Sequence, residues 1–323
     1  MRVTRMVTVA CWTIAALALI GLAVWFLTGT VFGVSIGKVF SGLSLGVSLE
    51  SLTGSYNVVG TYEIPSDSID SVEINWIAGD VTVRPYDGKA IQLMEYAQRD
   101  LRDNEKLQFH TSGKRLTVEY RENGVRIRMP QKKLDVMIPR ALCESLAAFT
   151  LDTTSADIDI ENINAETLKA STVSGGLHLA DATARKATME TTSGSIKVSG
   201  IVADDININT VSGSVRLNGA KTSALHCEST SGSLDLDGSF VKATLESVSG
   251  SVSLRSDTVP DKLKTDTTSG SVTVAVPNTG AVTVSHSSVS GKLSSDIPIT
   301  MHGANAQFDF STVSGSVKIK AID

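Results

Sequence analysis

The sequence Asn209–Leu217, NTVSGSVRL, recurs with small changes along most of the chain, for example as Thr191–Val198, TTSGSIKV, and Ser311–Ile319, STVSGSVKI. Its central glycine returns every 18–24 residues, most often every 19, at Gly175, Gly194, Gly213, Gly232, Gly250, Gly270, Gly291 and Gly315. An outlying copy is centred on Gly79, and a degenerate copy has Ala156 in place of the glycine. A regular period of about this size is the sequence signature of a repeat architecture.

Apolar and polar residues alternate on both sides of the glycine, and the parity changes at the glycine itself. The apolar positions are Ile206 and Ile208 before Gly213, and Val215 and Leu217 after it. A period of two indicates strands, and the change of parity indicates a corner, for which glycine supplies unusual backbone angles. A unit of this size cannot bury its own apolar face, but parallel stacking at about 4.8 Å per rung buries it. The sequence therefore predicts an all-β fold: a single-chain parallel β-solenoid (β-helix) with about ten rungs of about 19 residues.

A hydroxyl residue three positions before each corner faces inward in this alignment. The row consists of Thr153, Thr172, Thr191, Thr210, Ser229, Ser247, Thr267, Ser288 and Thr312. We expect these hydroxyls to bond to one another and to cap the corners. The alternative, a threonine-lined ice-binding face, would require the same side chains to point outward. Ala156 lacks the corner glycine, so its rung is expected to be strained or to turn differently.

An apolar run near the N-terminus predicts one transmembrane helix ahead of the repeats. The run covers residues 6–28, and no charge occurs between Arg5 and Lys38. It is long enough to span a bilayer, and Arg2 and Arg5 favour a cytoplasmic N-terminus with the remainder extracellular. A cleaved signal peptide is the alternative, although its apolar core is usually only about 7–15 residues long. We expect an uncleaved, single-pass protein of the cell membrane.

The repeats divide the chain into five predicted segments. These are a cytoplasmic N-terminus (1–5), a transmembrane anchor (6–28), a stalk with the first strand (29–70), irregular N-terminal rungs or a cap (71–142) and the regular repeats (143–323). The 77 residues from Gly79 to Ala156 equal about four rungs, so we expect irregular rungs that close the membrane-proximal end. Beyond the strand 317–319 we expect an open distal end, covered by residues 296–310 or used to dock another chain.

Two outward rows of the predicted rungs carry charge. The row three residues after the corner is mixed and has no paired carboxylates: Asp159, His178, Lys197, Arg216, Asp235, Ser253, Thr273, Ser294 and Lys318. The row four residues before the corner places Glu228, Glu246 and Asp266 on consecutive rungs about 5 Å apart. Carboxylates this close raise a pKa or recruit a cation, so the row predicts a weak Ca²⁺ stripe. The alternative is a set of hydrated carboxylates with lysine neighbours such as Lys264.

Composition and cysteine spacing restrict the function further. The net charge of −5 provides no electrostatic footprint for nucleic acid. Cys143 and Cys227 are predicted to lie roughly 20 Å apart along the rod, whereas a disulfide needs Cα atoms within about 7 Å. We expect both thiols to stay free. We also expect no cofactor other than the weak calcium stripe.

Two further stretches carry a resemblance to a known family. Ile69–Gly88, IDSVEINWIAGDVTVRPYDG, and Lys132–Leu142, KKLDVMIPRAL, together with the TVSGSV-type repeats, resemble the putative-adhesin family of bacterial β-strand-repeat surface proteins, a domain of unknown function. The resemblance covers residues 60–323. It implies a cell-surface β-solenoid linked to cell-envelope stress, without established catalytic residues.

The predicted function is therefore that of a non-enzymatic, adhesin-like or envelope-stress-associated scaffold. Its expected partners are the membrane and other surface proteins, membrane proteins or cell-wall components. Two alternatives remain at this point: a carbohydrate-acting β-helix enzyme, and a sensor subunit of a membrane stress-response system. Carboxylates converging in a groove would favour the enzyme.

Overall fold

The computed structural model describes residues 55–121 and 130–322, together with the backbone of residues 30–31 and 34–35. Within these residues, no helix has the length and apolar character needed to cross a membrane. The predicted anchor, residues 6–28, lies outside the described part of the chain, as does Cys11.

Regular structure in the described residues is almost entirely β-strand, as predicted. The N-terminal strands are β1 (Thr30–Val31), β2 (Val34–Ser35), β3 (Asn57–Pro65), β4 (Ser71–Tyr86), β5 (Ala90–Ala97), β6 (Gln108–Ser112), β7 (Arg115–Glu119) and β8 (Lys132–Pro139). A 3-10 turn, Asp103–Glu105, precedes β6, and the short helix α1 (Arg140–Cys143) follows β8. The next strands are β9 (Leu146–Glu161), β10 (Asn164–Thr172), β11 (Leu177–Ala180), β12 (Thr183–Thr191), β13 (Ile196–Ser199), β14 (Val202–Thr210), β15 (Val215–Ser229) and β16 (Leu234–Ser247). The last are β17 (Val252–Ser256), β18 (Lys262–Thr267), β19 (Val272–Pro277), β20 (Val282–Ser288), β21 (Leu293–Ser295), β22 (Ile299–Thr300), β23 (Gln307–Thr312) and β24 (Val317–Ile322).

The strands form a parallel stack with the predicted 19-residue register. Residues before the corners form one sheet, the pre-corner sheet, in which β10, β12 and β14 align Thr172, Thr191 and Thr210. Residues after the corners form a second, the post-corner sheet, which includes β11, β13 and the start of β15. Alternate side chains of both sheets enter one continuous apolar core. The prediction of an all-β, solenoid-like stack is confirmed.

The corner glycines are required by close stacking and not by unusual backbone angles, which corrects the expectation. From Gly175 to Gly315, none of the corner glycines of the repeat series has a positive φ; Gly79, with φ of 103°, is the exception. Instead, a Cβ on Gly194 would lie 2.5 Å from the carbonyl carbon of Gly175 in the neighbouring rung. Any side chain at this position would overlap the backbone of the rung beside it.

The inward hydroxyls cap the corners, as expected, but the described contacts are not hydroxyl to hydroxyl. The amide of Gly213 donates to Thr210 Oγ1 at 3.0 Å, and that of Gly232 donates to Ser229 Oγ at 2.8 Å. Thr210 and Ser229 are also buried. Their inward orientation excludes the ice-binding alternative for this row. In these rungs the hydroxyl therefore satisfies a backbone donor that the corner would otherwise leave unpaired, whereas Ser288 Oγ and Thr312 Oγ1 have no hydrogen-bond partner within the described residues.

A second corner, six residues after the first, was not recognised in the sequence. Asn162, Asp181, Gly200 and Gly219 occupy it with φ between 52° and 65°. Gly, Asn and Asp are the residues that adopt this left-handed conformation most readily. The residue that follows is buried, as at Ile163. This turn returns the chain to the pre-corner sheet of the next rung.

Ala156 is accommodated because its rung turns differently, as expected. Strand β9 runs without interruption through the position where later rungs bend. It pairs in parallel with β4, which aligns Ala156 with Gly79. Ala156 is fully buried.

No series of about four irregular rungs separates Gly79 from Ala156, because these two rungs are direct neighbours. The intervening residues lie instead on the far side of β4. There β7 and β8 add one parallel rung. Antiparallel strands then cover it: β6 on β7, and β5 followed by β3 on β8. The described part of this N-terminal cap begins in β3, within the predicted stalk.

The distal end has a strand order that the repeat did not predict. β23 lies between β18 and β20, and β24 lies between β19 and β21. The Gly315 rung is therefore inserted between the Gly270 and Gly291 rungs, although it comes last in the chain. The final rung in space is that of Gly291, so the open end predicted at residues 317–319 is wrong. The stack contains eleven rungs, counting the one formed by β7 and β8.

Candidate functional site

The predicted acidic row lies on the outer face of the pre-corner sheet, in the expected register. Glu246 is aligned with Glu228 on one side and with Asp266 on the other. The outer two carboxylates have basic partners on their own strands. His226 Nε2 lies 2.8 Å from Glu228 Oε1, and Lys264 Nζ lies 2.5 Å from Asp266 Oδ2. The three carboxylates are therefore adjacent, and the central one has two acidic neighbours.

The pKa values of Glu228 and Glu246 in this row are shifted in opposite directions. Partial burial, together with the charges of Glu228 and Asp266, raises the pKa of Glu246. The hydrogen bond from His226 lowers the pKa of Glu228, and the same hydrogen bond raises the pKa of His226. Glu246 therefore takes up a proton more readily than an ordinary glutamate. The row responds to pH because its central charge is the least compensated.

The row does not form a ligand cage. Over the described ranges, no group of three or more His, Cys, Asp or Glu side chains has an arrangement that would hold a metal ion. A calcium site normally gathers six to eight oxygens around one point, whereas these carboxylates follow a line along the stack. The weak calcium stripe at Glu228, Glu246 and Asp266 thus stays a prediction.

The mixed outward row forms ion pairs between rungs. Asp159 Oδ2 accepts a hydrogen bond from Arg84 at 3.1 Å, and Asp159 Oδ1 lies 3.0 Å from His178 Nδ1. Farther along, Arg216 lies 3.4 Å from Asp235. These side chains are partly or well exposed to solvent, so each pair contributes little stability, about 0–1 kcal/mol.

A buried charged centre in the N-terminal cap was missed by the sequence reasoning. Lys132 Nζ lies 2.7 Å from Glu95 Oε1, and both side chains are completely buried. Lys132 also donates to the backbone carbonyls of Glu105, at 2.8 Å, and Tyr120. Its ammonium stands 3.9 Å from the centre of the Tyr120 ring and 4.9 Å from that of Trp76. Burial lowers the pKa of Lys132.

Neighbouring groups complete this centre. Glu95 Oε1 also accepts the amide of Leu107 at 2.9 Å. Hydrogen bonds from the Arg99 side chain and the Arg102 amide lower the pKa of the nearby Glu105 to about 2. The signal for this centre was present in the sequence, because Glu95 shares the inward parity of Ile91 and Leu93 in β5. The arrangement seals the end of the core with a fixed ion pair.

Both described cysteines are free, which confirms the expectation for Cys143 and Cys227. Burial raises the pKa of the Cys143 thiol to about 11, and burial also raises that of Cys227. A thiol with a raised pKa is a poor nucleophile at neutral pH. Neither residue therefore has the environment of a reactive cysteine.

A groove on the described surface runs along the second corners. It has a volume of about 490 Å³ and crosses four rungs, from Thr183 to Thr258. Phe240 forms part of its floor, and Val202 and Val241 expose 47% and 45% of their surface beside it. The only ionisable side chains along it are Asp204 and Lys221. Carboxylates do not converge there, as a glycoside hydrolase would require.

Solved structures with the same fold come from bacterial proteins. A putative adhesin from Parabacteroides distasonis has a TM-score of 0.53 at 10% identity, covering 82% of this chain and 98% of that chain. A putative lipid binding protein from the same species has a TM-score of 0.50 at 17% identity, covering 83% of this chain and 98% of that chain. At such identities the likeness concerns the fold alone. Curated proteins provide no significant sequence match.

A family comparison agrees with the repeat and the stack. The sequence profile of the Toastrack DUF4097 family matches residues 69–320. This range runs from just before β4 into β24, so it includes the whole series of corners and the N-terminal cap after β3. The match confirms the resemblance found in the sequence. The chain belongs to the Toastrack DUF4097 family.

Proposed function

We propose that this chain is a non-enzymatic rod displayed at the cell surface, where the outer face of its pre-corner sheet binds an extended surface or cell-wall polymer. The observation that carries the proposal is the continuous register of this sheet, whose eleven strands stand about 4.8 Å apart. Eleven such strands span about 50 Å. A long face with regularly spaced strands matches a polymer better than it matches a small molecule.

Polar side chains on this face provide the hydrogen-bonding groups. Thr188, Asn207 and Asn209 are half-buried on adjacent strands, so their orientation is constrained by their neighbours. Fixed donors and acceptors bind with a smaller entropy cost than mobile surface groups.

The binding face is tested by two substitutions of one residue type on one rung. Asn207→Arg places a long charged side chain on the outer pre-corner face, whereas Asn218→Arg places it on the exposed post-corner side. Cells displaying each full-length variant are tested for attachment to surfaces coated with cell-wall polymer. We expect Asn207→Arg to abolish attachment and Asn218→Arg to retain it. Equal attachment by both variants would contradict a role of the pre-corner face.

The proposal includes membrane anchoring through residues 6–28, with the solenoid outside. The support is the uninterrupted apolar run and the preceding Arg2 and Arg5. An epitope tag after Asp323 should be accessible to antibody on intact cells, and a tag before Met1 should become accessible only after permeabilisation. An N-terminal tag missing from the mature protein would instead support cleavage of a signal peptide.

The apolar groove favours a second candidate function, contact with a lipid acyl chain. The putative lipid binding protein among the fold neighbours bears a name consistent with this candidate. Val241→Asp would place a charge in the groove, whereas Val211→Asp would change an equally exposed valine on a different corner. Titration with a fluorescent fatty acid should show weaker binding for Val241→Asp only. No binding by the wild-type chain would eliminate this candidate.

A further inference from the structure

The insertion of the last rung shows that the stack contains a slot one strand wide. Between Pro277 and Val282 the chain passes over this slot to build the Gly291 rung, and residues 307–322 then fill it. β20 and β21 thus come before β23 and β24 in the sequence, although β23 and β24 lie on their inner side in the stack. Until residues 307–322 arrive, the edges of β18 and β19 on one side and of β20 and β21 on the other lack partners. Unpaired parallel edges are templates for a strand from any chain with the right pattern.

Only a strand with the sequence pattern of the repeat fits the slot. Inside it, Gly315 lies so close to Gly270 that a Cβ would come within 2.9 Å of the Gly270 carbonyl carbon. Gly291 makes the same approach to Gly315 on the other side. The slot also buries Phe308, Phe310, Val317 and Ile319. An acceptable strand therefore needs a glycine corner with apolar residues at these inward positions.

Hydrogen bonds hold the inserted segment on both edges. On the inner side, Gln307 N donates to Asp261 O at 2.9 Å, and Ser314 N donates to Thr268 O at 2.9 Å. On the outer side, Thr283 N donates to Ala306 O at 2.9 Å, and Ser290 N donates to Val313 O at 3.0 Å. All these contacts would be identical if residues 307–322 came from another copy of the chain.

The connection to this segment allows it to leave its own stack. Residues 296–306 connect β21 to β23. Of these, Ile297 is buried and β22 pairs with β20 of its own stack, whereas Met301 is 79% exposed. The six residues 301–306, when extended, span about 20–22 Å, so the exchange requires the slot of an adjacent rod to lie within that distance. Exchange of an identical element between copies is a low-cost route to a dimer, because no new interface has to be built.

We propose that the slot between the Gly270 and Gly291 rungs is a strand-acceptor site, and that two copies of this chain dimerise by exchanging residues 307–322. Each rod then contains ten rungs of its own and one from its partner. The exchanged rungs connect the rods near their distal ends. Copies held on the same membrane have a high effective concentration for one another, which favours the exchange.

Two variants of the full chain, each with one added cysteine, test the exchange. Thr273 and Lys318 are aligned neighbours on β19 and β24, so cysteines at these positions come within disulfide distance. Thr273→Cys and Lys318→Cys are placed in separate chains, both with Cys11→Ser, and the chains are refolded together and oxidised. A disulfide between the two different chains can form at high yield only if residue 318 of one occupies the slot of the other. We expect a yield at least about tenfold above that of Thr273→Cys mixed with Lys197→Cys, which reports random collisions.

Two further variants make each outcome decisive. Adding Gly315→Val to the Lys318→Cys chain should abolish the cross-link, because the side chain would overlap the Gly270 carbonyl in either copy. A chain carrying both Thr273→Cys and Lys318→Cys reports insertion into its own slot. If it forms an internal disulfide while the mixed chains give only the collision yield, exchange does not occur. If it forms no disulfide, the strand order is wrong and the proposal fails with it.

Discussion

Replacing Gly175 by alanine should destabilise the stack far more than replacing the adjacent Gly176. A Cβ on Gly175 would overlap the Ala156 carbonyl oxygen, would lie 2.5 Å from the carbonyl carbon and would approach Asp157 N to 3.0 Å. Ordinary carbon contacts are about 3.5–4.0 Å, so the neighbouring backbone must recede by about 1 Å. At Gly176, a Cβ would meet Asp157 Oδ1 at 3.5 Å and Ser195 O at 3.8 Å, which are normal contacts.

The magnitude follows from the hydrogen bonds beside Gly175. Val173 N and Ser174 N donate to Thr154 O at 3.2 and 3.0 Å, and a movement of 1 Å would break both. Two lost bonds at about 1 kcal/mol each, together with an overpacking cost of about 1–3 kcal/mol, amount to roughly 3–5 kcal/mol. Gly176→Ala should be neutral or slightly stabilising, because alanine restricts the unfolded chain.

Urea unfolding, with hydrogen exchange of the rungs around residue 175, measures this difference. The close-approach explanation requires Gly175→Ala to lower the unfolding free energy and to increase exchange in the neighbouring strands, β9 and β12. If the two variants differed by less than about 1 kcal/mol, the stacking contact would not be the reason for the corner glycine.

Four further outcomes follow from the corners, the acidic row and the cap. In urea unfolding, Thr210→Val should lower the unfolding free energy by about 1–2 kcal/mol, because it leaves the Gly213 amide without its acceptor. Thr210→Ser should retain most of the stability. Because the pKa of Glu246 is raised in the folded state, its contribution to folding stability is fully present below the ordinary glutamate pKa and is lost as pH rises through the folded-state pKa. Glu246→Gln should therefore raise the Tm at pH 7 and leave it unchanged at pH 4 in thermal melts. If the calcium stripe exists, millimolar calcium should raise the Tm of the wild type at pH 7 but not that of Glu246→Gln; no shift in the wild type would end that hypothesis. Lys132→Met should lower the unfolding free energy by about 3–5 kcal/mol, because it leaves the buried Glu95 carboxylate without its ion-pair partner. Adding Glu95→Leu should restore a large part of this loss. Additive losses in the double-mutant cycle would contradict the coupling of the two residues.

The repeat predicted the stack well because it reports local and periodic constraints. Alternating residues such as Ile206 and Ile208 determine which side chains enter the core, and the 19-residue spacing determines which residues become neighbours. The alignment of Glu228, Glu246 and Asp266 followed from that spacing alone. The reason for the corner glycine could not be predicted, because it is a contact with the backbone carbonyl of the neighbouring rung, and the sequence of one repeat does not reveal that distance.

Features that depend on spatial order could not be read from the period. Gly291 and Gly315 have equivalent sequence patterns, so nothing in either copy shows which lies outermost. Their longer spacings of 21 and 24 residues were the available signal, since an added connection is needed to pass over a strand. The second corner was a different case. Asn162, Asp181 and Gly200 are different residue types, and only their shared left-handed conformation reveals the series.

The ion pairs of the cap were missed because the cap does not repeat. Its strands β5 and β6 are antiparallel to their neighbours, so the 19-residue register does not apply to them. Glu95 and Lys132 are 37 residues apart in the sequence. Only the parity of each strand indicated that both side chains point inward.

The uniform middle of the stack makes the rod adjustable in length. From Gly175 to Gly232, every rung presents the same corners and the same inward hydroxyl to its neighbours, so one rung is a complete structural module. Duplicating one 19-residue unit there would lengthen the rod by about 4.8 Å and leave both ends unchanged. A chain that gains or loses whole modules would therefore hold its N-terminal cap and its distal end at a different distance from each other.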